Sequence, residues 1–232
     1  MTAIGRKSGD AAQTAFTVST TWAEHGFTPR GRRNNPWENV ISATGSTLWV
    51  ATGINGPISS PAVANGVVYF GSGSILYAFD ASTGATRWTV GTPIEVDSSP
   101  AVANGVVYVG TDDNNLYAFD ASSGAKLWTG STGGNIYSSP AVANGVVYIG
   151  SYDDNIYAFD SSTGARLWVA ATGNLIDSSP TVADGMVFVG SGDHNIYAFS
   201  LNAGNVRVNG RKRAAPPLPA MLNPDYGLKP TY

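Results

Sequence analysis

Three short polar clusters are the segments of this 232-residue sequence whose side chains could ligate a cation. The clusters are Asp112-Asp113-Asn114, Asp153-Asp154-Asn155 and Asp193-His194-Asn195. Each offers several closely spaced oxygen atoms, the ligands that Ca²⁺ prefers. Each also falls between two strand-like runs, where Asp and Asn are good turn formers, and a fourth copy of the loop reads "GSGS". We therefore expect turn chemistry and no metal site.

The sequence gives less support for nucleophilic or acid–base catalysis than for cation binding. A Ser-His-Asp site needs one base directed at one serine, whereas Ser-Ser pairs recur in every repeat and the histidines are His25 and His194. The chain has no cysteine, which excludes thiol catalysis and disulfides and leaves the redox compartment undetermined. Among the acids of the repeats, Glu95 alone does not fall at a repeated turn position. We expect no catalytic residue and no cofactor.

A repeated phrase indicates which elements position these side chains. "SSPAVANGVVY" begins at Ser59, Ser98 and Ser138, and the near-copy "SSPTVADGMVF" begins at Ser178. The same spacing separates four tryptophans, which are Trp49, Trp88, Trp128 and Trp168. A period of about 40 residues is typical of propeller blades, each made of four short strands.

One repeat, "SSPAVANGVVYVGTDDNNLYAFDASSGAKLW", consists of strand and turn signals. Asn104-Gly105 is a strong hairpin signal because both residue types tolerate positive φ. Asp120 can accept turn amide hydrogen bonds, and Gly124 can take the left-handed conformation. Small residues in "SSPAVA" suit the crowded centre of a propeller, and Trp128 suits the wider gap at its rim. The sequence therefore predicts an all-β protein, a β-propeller of four-stranded antiparallel blades with four repeats in the chain.

Composition and charge narrow the function classes. The chain contains 28 Gly, 12% charged residues and a net charge of −3. It has no apolar run long enough to span a membrane, and its first 25 residues lack the apolar stretch of a signal peptide. Residues 59–200 hold three basic and twelve acidic residues. The basic cluster Arg211 to Arg213 precedes a proline-rich run, which suggests a strap or linker, and the acidic body argues against nucleic-acid binding.

The segment "ANGVVYVGTDDNNLYAFDASSGAKLW" resembles the repeat of the PQQ-binding-like (quinoprotein-like) β-propellers, and the likeness extends over residues 47–208. It implies a lead-in at 1–46, a closing strand at 47–50 that completes the last blade, and a basic, proline-rich tail at 209–232. The implied blades are 59–88, 98–128, 138–168 and 178–208. The resemblance also suggests a periplasmic or extracellular location.

Ring closure stays open at this level. Propellers of this family usually have more blades than the four repeats here, and Val208 stands where the last blade should carry its Trp. Two chains could join head to tail as an eight-bladed ring, one chain could close as a ring of four or five blades, or the chain could form an open arc.

The family includes quinone-dependent dehydrogenases, but their vicinal disulfide and calcium ligands have no counterpart in this sequence. We expect a non-enzymatic scaffold that binds a protein partner or a second copy of itself. The expected interaction surface lies in the unlike residues that precede each Ser-Ser pair, namely Asn55, Glu95, Asp97, Asn135, Tyr137, Asn174 and Asp177. One alternative is a glycan-binding propeller whose repeated aromatics, such as Tyr117, Phe119 and Trp128, stack on sugars. A second alternative is a PQQ-dependent dehydrogenase.

Overall fold

A computed structural model describes residues 46–201 and the backbone of two further strands at 205–208 and 211–214. Apart from residue 46 and the backbone of 211–214, the expected lead-in at 1–46, with His25, and the expected tail at 209–232 lie outside the described residues. Within the described residues the regular elements are β-strands, and no helix there could cross a membrane.

The strands are β1 Ala62–Ala64, β2 Val67–Ser72, β3 Ile75–Asp80, β4 Thr86–Gly91, β5 Ala101–Ala103, β6 Val106–Gly110, β7 Asn115–Asp120, β8 Lys126–Ser131, β9 Ala141–Ala143, β10 Val146–Gly150, β11 Asn155–Asp160, β12 Arg166–Ala171, β13 Thr181–Ala183, β14 Met186–Gly190, β15 Ile196–Ser200, β16 Asn205–Val208 and β17 Arg211–Ala214.

Three blades are complete antiparallel meanders, and the fourth is not. Blade 1 is β1 to β4, blade 2 is β5 to β8, and blade 3 is β9 to β12. Blade 4 has the three strands β13, β14 and β15. The predicted outer strand of blade 4 forms as β16, but it pairs with β17, through Val208 opposite Arg211, instead of with β15. The blade predicted at 178–208 is therefore three-stranded in the described residues.

The turns form as the sequence predicts. Asn104 and Gly105 have φ of 51° and 77°, the left-handed pair that a two-residue hairpin needs. The Asp120 carboxylate accepts hydrogen bonds from the amides of Ser122 and Ser123 at 3.0 and 2.9 Å, and Gly124 has φ of 72°. The same arrangement closes the third strand of blades 1 and 3.

The core lies in the joints between successive blades. At the first joint, Tyr69 and Leu76 on one face of blade 1 belong to the same buried cluster as Val107, Tyr117 and Phe119 on the facing side of blade 2. Equivalent apolar clusters fill the joints between blades 2 and 3 and between blades 3 and 4. Because successive residues of a strand point to opposite faces, each blade presents one apolar face to the preceding blade and a different one to the next.

The Ser-Ser pairs carry a hydrogen-bond network near the inner strands. The amide of Ser60 donates to Ser99 Oγ at 3.1 Å, the amide of Ser99 to Ser139 Oγ at 3.0 Å, and the amide of Ser139 to Ser179 Oγ at 3.1 Å. These three bonds, which we call the serine ladder, link each blade to the next. The first serine of each pair acts within its own blade, as when Ser98 Oγ accepts from the amide of Gly110 at 2.6 Å.

Tryptophans fill the joints at the rim. The indole of Trp128 lies where a Cβ on Gly164 of the next blade would stand, 2.6 Å from the ring. Its Nε1 donates to the carbonyl of Ser161 at 3.1 Å. Trp88 makes the equivalent contacts with Gly124 and with the carbonyl of Ala121. The predicted taper from small inner to large outer residues thus matches the packing.

The segment 47–50 differs from its prediction, because it forms no strand. A strand needs a partner edge, and this segment pairs with no strand of the described residues. Trp49 nevertheless stacks on Gly84 and donates to the carbonyl of Ala81 at 3.0 Å, as an outer-strand Trp does in the other joints.

Candidate functional site

The side chains predicted to form an interaction surface lie on one side of the blades, which we call the loop face. It consists of the segments that lead into each inner strand, 52–58, 92–97, 132–137 and 172–177, and of the hairpins between second and third strands. Backbone hydrogen bonds hold the two kinds of loop together: Asp112 N donates to Glu95 O at 3.3 Å, and Tyr152 N donates to Asn135 O at 3.0 Å. Each connecting segment is therefore fixed to the hairpin of the blade that it enters.

Three carboxylates converge on this face. Glu95, Asp97 and Asp112 each place an oxygen within 4.8 Å of the other two. Burial, followed by the negative charges of Asp112 and Glu95, raises the pKa of Asp97. Asp112 Oδ1 is buried and has no hydrogen-bond partner among the described residues. The group is a concentrated negative charge that favours a positively charged neighbour.

Two tyrosines adjoin these carboxylates. The rings of Tyr137 and Tyr152 have centroids 4.6 Å apart, and Tyr137 Oη donates to Asp112 Oδ2 at 3.0 Å. Tyr152 is 38% exposed. Burial and then the negative charge of Asp177 raise the pKa of Tyr152, so both rings stay neutral at ordinary pH. We call Glu95, Asp97, Asp112, Tyr137 and Tyr152 the acidic–tyrosine patch.

The structure brings together part of the predicted surface. Glu95, Asp97 and Tyr137 meet in the patch, and Asn135 is close enough to Tyr137 to affect the pKa of its phenol. Asp177 is close enough to Tyr152 to affect its pKa. Asn55 and Asn174 lie in the loops of blades 1 and 4, where their carbonyls accept hydrogen bonds from Ser72 and Ser191.

Sequence reasoning did not include Asp112 and Tyr152 in the surface. Both occupy the second position of the hairpin between the second and third strands, and blade 4 has Gly192 there. Three unlike residues at one position of otherwise similar repeats were the available signal. This signal is weak because Asp is also a good turn former at such a position.

The neighbouring Asp residues of these hairpins have structural partners. Tyr117 Oη donates to Asp113 Oδ2 at 2.6 Å, and Tyr157 donates likewise to Asp153. Asp153 Oδ2 also accepts from the amide of Gly133 at 2.8 Å. These carboxylates fasten each hairpin to its own blade and, for Asp153, to the loop before it.

The aromatics that a sugar-binding surface would need are engaged in packing. Tyr117 and Phe119 are buried in the joint between blades 1 and 2, and the Trp128 indole N–H is bonded to Ser161. The more exposed ring of the loop face is Tyr152.

The fold agrees with comparisons to known proteins. The model of the family described as outer membrane protein assembly factor BamB matches residues 39–137 and 126–225. The crystal structure of BamB from Moraxella catarrhalis is similar at a TM-score of 0.56 and 29% identity, over 63% of this chain and 46% of that one. The match thus spans less than half of that BamB. A comparison with curated proteins gave no match.

Two further structures share the fold. The computationally designed Ika4 protein is similar at a TM-score of 0.63 and 20% identity, over 68% of this chain and 99% of that one. The quinohemoprotein alcohol dehydrogenase ADHIIG from Pseudomonas putida HK5 is similar at a TM-score of 0.56 and 22% identity, over 64% of this chain and 33% of that one.

These likenesses confirm the predicted propeller fold and the predicted repeat family. Because the family model accounts for most of the sequence, this chain belongs to the BamB family of PQQ-like β-propellers.

Proposed function

We propose that this protein is a non-enzymatic scaffold that binds a partner protein through the acidic–tyrosine patch. The observation that carries the proposal is the family match over residues 39–137 and 126–225, since the family is described as an outer membrane protein assembly factor. That description supports contact with other proteins, and its mention of an outer membrane supports a bacterial envelope as the proposed location.

The chemistry of the patch indicates which partner surface would fit. Three carboxylates within 4.8 Å of one another attract cationic side chains. The two tyrosines beside them, whose ring centroids are 4.6 Å apart, supply rigid contact area of the kind enriched in protein interfaces. The basic residues of 46–201 are Arg87, Lys126 and Arg166, and all three lie on the outer strands β4, β8 and β12. The loop face therefore suits an exposed partner segment rich in Lys or Arg.

To test the proposal, the full chain is expressed in bacteria that have an outer membrane, with a photo-crosslinking amino acid at position 152. A matched chain carries the same group at Val169, an exposed position on β12. We expect defined protein adducts from position 152, and loss of these adducts when Asp97→Asn and Asp112→Asn are combined. Adducts that are equal from both positions, or unchanged by the double substitution, would contradict the proposal.

The two alternatives are measured on the same variants. Titration with pyrroloquinoline quinone plus Ca²⁺ tests the dehydrogenase alternative, and a glycan array tests the lectin alternative. Saturable binding of either probe that is abolished by Tyr152→Ala would assign the patch to a small ligand and overturn the scaffold proposal.

A further inference from the structure

We propose that the two ends of this chain are the two halves of one blade joint, and that a second copy of the same chain closes it. The joint would bury the free face of blade 4 against the free face of blade 1 of the second copy. The Trp49 segment, residues 47–52, would become the fourth strand of blade 4. This inference concerns the blade ends and does not depend on what the loop face binds.

The first step is that blade 4, as far as the structure describes it, lacks a strand where its three relatives have one. In blades 1 to 3 the third strand pairs with an outer strand, through Ala78 opposite Trp88, Ala118 opposite Trp128 and Ala158 opposite Trp168. The equivalent residue of blade 4 is Ala198 on β15, which has no outer-strand partner among the described residues. An unpaired strand edge is a template for pairing with another chain.

The second step is that the Trp49 segment has the sequence and the rim contacts of an outer strand, although it forms no strand in the described residues. It reads "TLWVAT", and β12 reads "RLWVAA", so the two share Leu-Trp-Val-Ala. Trp49 contacts Gly84 and Ala81 of blade 1 as Trp88 contacts Gly124 and Ala121 of blade 2. The segment therefore already lies against blade 1 in the position of the outer strand of a preceding blade. The described residues contain no other strand of that blade.

The third step is that blade 4 exposes apolar side chains that its relatives bury. Leu76, Leu116 and Ile156 are each 0% exposed, whereas Ile196 at the same position of blade 4 is 65% exposed. Ser98 and Ser138 are likewise buried, whereas Ser178 is exposed. This face of blade 4 is built to be covered by a following blade.

The fourth step is that blade 1 exposes the complementary face. Val102 packs against blade 1 and is only 1% exposed. Its counterpart in blade 1, Val63, is 36% exposed. Val96 and Ile136 are buried against the strand glycines Gly71 and Gly110 of the preceding blade, whereas Pro57 at the equivalent place is exposed. The two free faces have the residue types that already pack together three times inside the chain.

The last step concerns which chain supplies the second half of the joint. Among the described residues no apolar cluster joins blade 4 to blade 1, so the four blades form an arc. The arc superposes on less than half of the Moraxella catarrhalis BamB chain. When two arcs are related by a two-fold axis, the free face of blade 4 in each copy packs against the free face of blade 1 in the other copy. Both joints then form, and no edge remains.

The absence of cysteine in the chain allows a direct test. Within blade 3, Ile156 lies opposite Ala170. The same register in the proposed joint places Ile196 opposite Ala51 of the second copy. A tagged Ala51→Cys chain is mixed with an untagged Ile196→Cys chain and treated with a short thiol cross-linker. Each chain carries one thiol, so a 51–196 link must join two copies.

We expect the 51–196 heterodimer as the main product, and no such product when Val169→Cys replaces Ile196→Cys. A second variant, Ile196→Glu, keeps the single chain folded because the position is exposed there, but would bury a charge in the joint. We expect it to weaken dimerisation on the order of 100-fold or more, with Val169→Glu unchanged. A double-cysteine chain that links only within itself would overturn the proposal in favour of a small single-chain ring. No link, or no effect of Ile196→Glu, would show that another segment covers the edge.

Discussion

Trp49 donates its indole N–H to the carbonyl of Ala81 at 3.0 Å, the same bond that Trp88 makes with Ala121 one blade later. The first of these bonds lies outside any complete joint, because no blade of the described residues precedes blade 1. The rim contact of a blade joint is thus also made on the side of blade 1 where the described residues contain no preceding blade. This contact outside any complete joint is the structural basis for treating the molecule as half of a closed ring.

The rim tryptophans should dominate the stability of each joint. Trp128→Ala removes the ring that covers Gly164 and the hydrogen bond to Ser161, and we expect it to lower the free energy of unfolding by about 3 kcal/mol. Trp128→Phe keeps most of the packing and loses only the hydrogen bond, so we expect it to lower the free energy of unfolding by about 1 kcal/mol relative to the wild type. Urea unfolding followed by circular dichroism measures both. Equal losses for the two variants would show that ring packing contributes little.

Strand glycines at the joints should tolerate no side chain. A Cβ on Gly150 would stand 2.1 Å from Ile176 Cγ2, whereas a Cβ on Gly91 would meet nothing within 4 Å. We expect Gly150→Ala to destabilise by about 2 kcal/mol because the buried isoleucine must move. Gly91→Ala should stay within about 0.5 kcal/mol of the wild type. Thermal melts of the two variants check this, and a Gly91→Ala loss as large as that of Gly150→Ala would contradict it.

The hydrogen bonds of the serine ladder should stabilise the fold beyond what the packing of the small serine side chains contributes. Ser139→Ala leaves the buried amide of Ser99 without its acceptor, and we expect a loss of about 1–3 kcal/mol. Ser74→Ala, in an exposed turn, serves as the control and should stay within about 0.5 kcal/mol. Amide hydrogen exchange at Ser99 should accelerate in Ser139→Ala. Unchanged exchange there would mean that the bond does not protect the inner strands.

Three tyrosines should make the fold sensitive to alkali. Burial raises the pKa of Tyr108, Tyr117 and Tyr157 to about 12, and bonds to Asp113 and Asp153 add to the rise for the last two. Because these values exceed the ordinary pKa of 10.0, the stability they contribute is fully present below about pH 10 and is lost as pH rises towards about 12. Unfolding free energies measured across this range should fall, and Tyr157→Phe should flatten the fall. A flat profile in the wild type would contradict the burial of these phenols.

Local signals in the sequence predicted the blade itself. Asn104-Gly105 and Asp120 with Gly124 define their turns through φ preferences and short-range hydrogen bonds, so no distant residue was needed to predict them. The role of the serines was predicted only in part. Small size suggested packing, but the bond from Ser99 to Ser139 depends on how two blades are placed, which one repeat does not contain.

The ends and the loop face were harder to predict for the same reason. The residues 47–50 carry a strand sequence, but a strand forms only against an edge, and this segment pairs with no strand among the described residues. Tyr152 and Asp112 join the patch because blades 2 and 3 bring two hairpins together with Tyr137. Their positions in the sequence are 40 apart, so only the geometry of the joint reveals that they are neighbours.

The most direct test of the half-ring is the mass of the full chain in solution. Sedimentation equilibrium at micromolar concentration should give a single species of twice the 24.0 kDa chain mass, and Ile196→Glu should convert it to the single-chain mass without loss of folded structure. A monodisperse, cooperatively folded wild-type species of one chain mass would contradict the account, because both free blade faces would then be stable in water without a second copy.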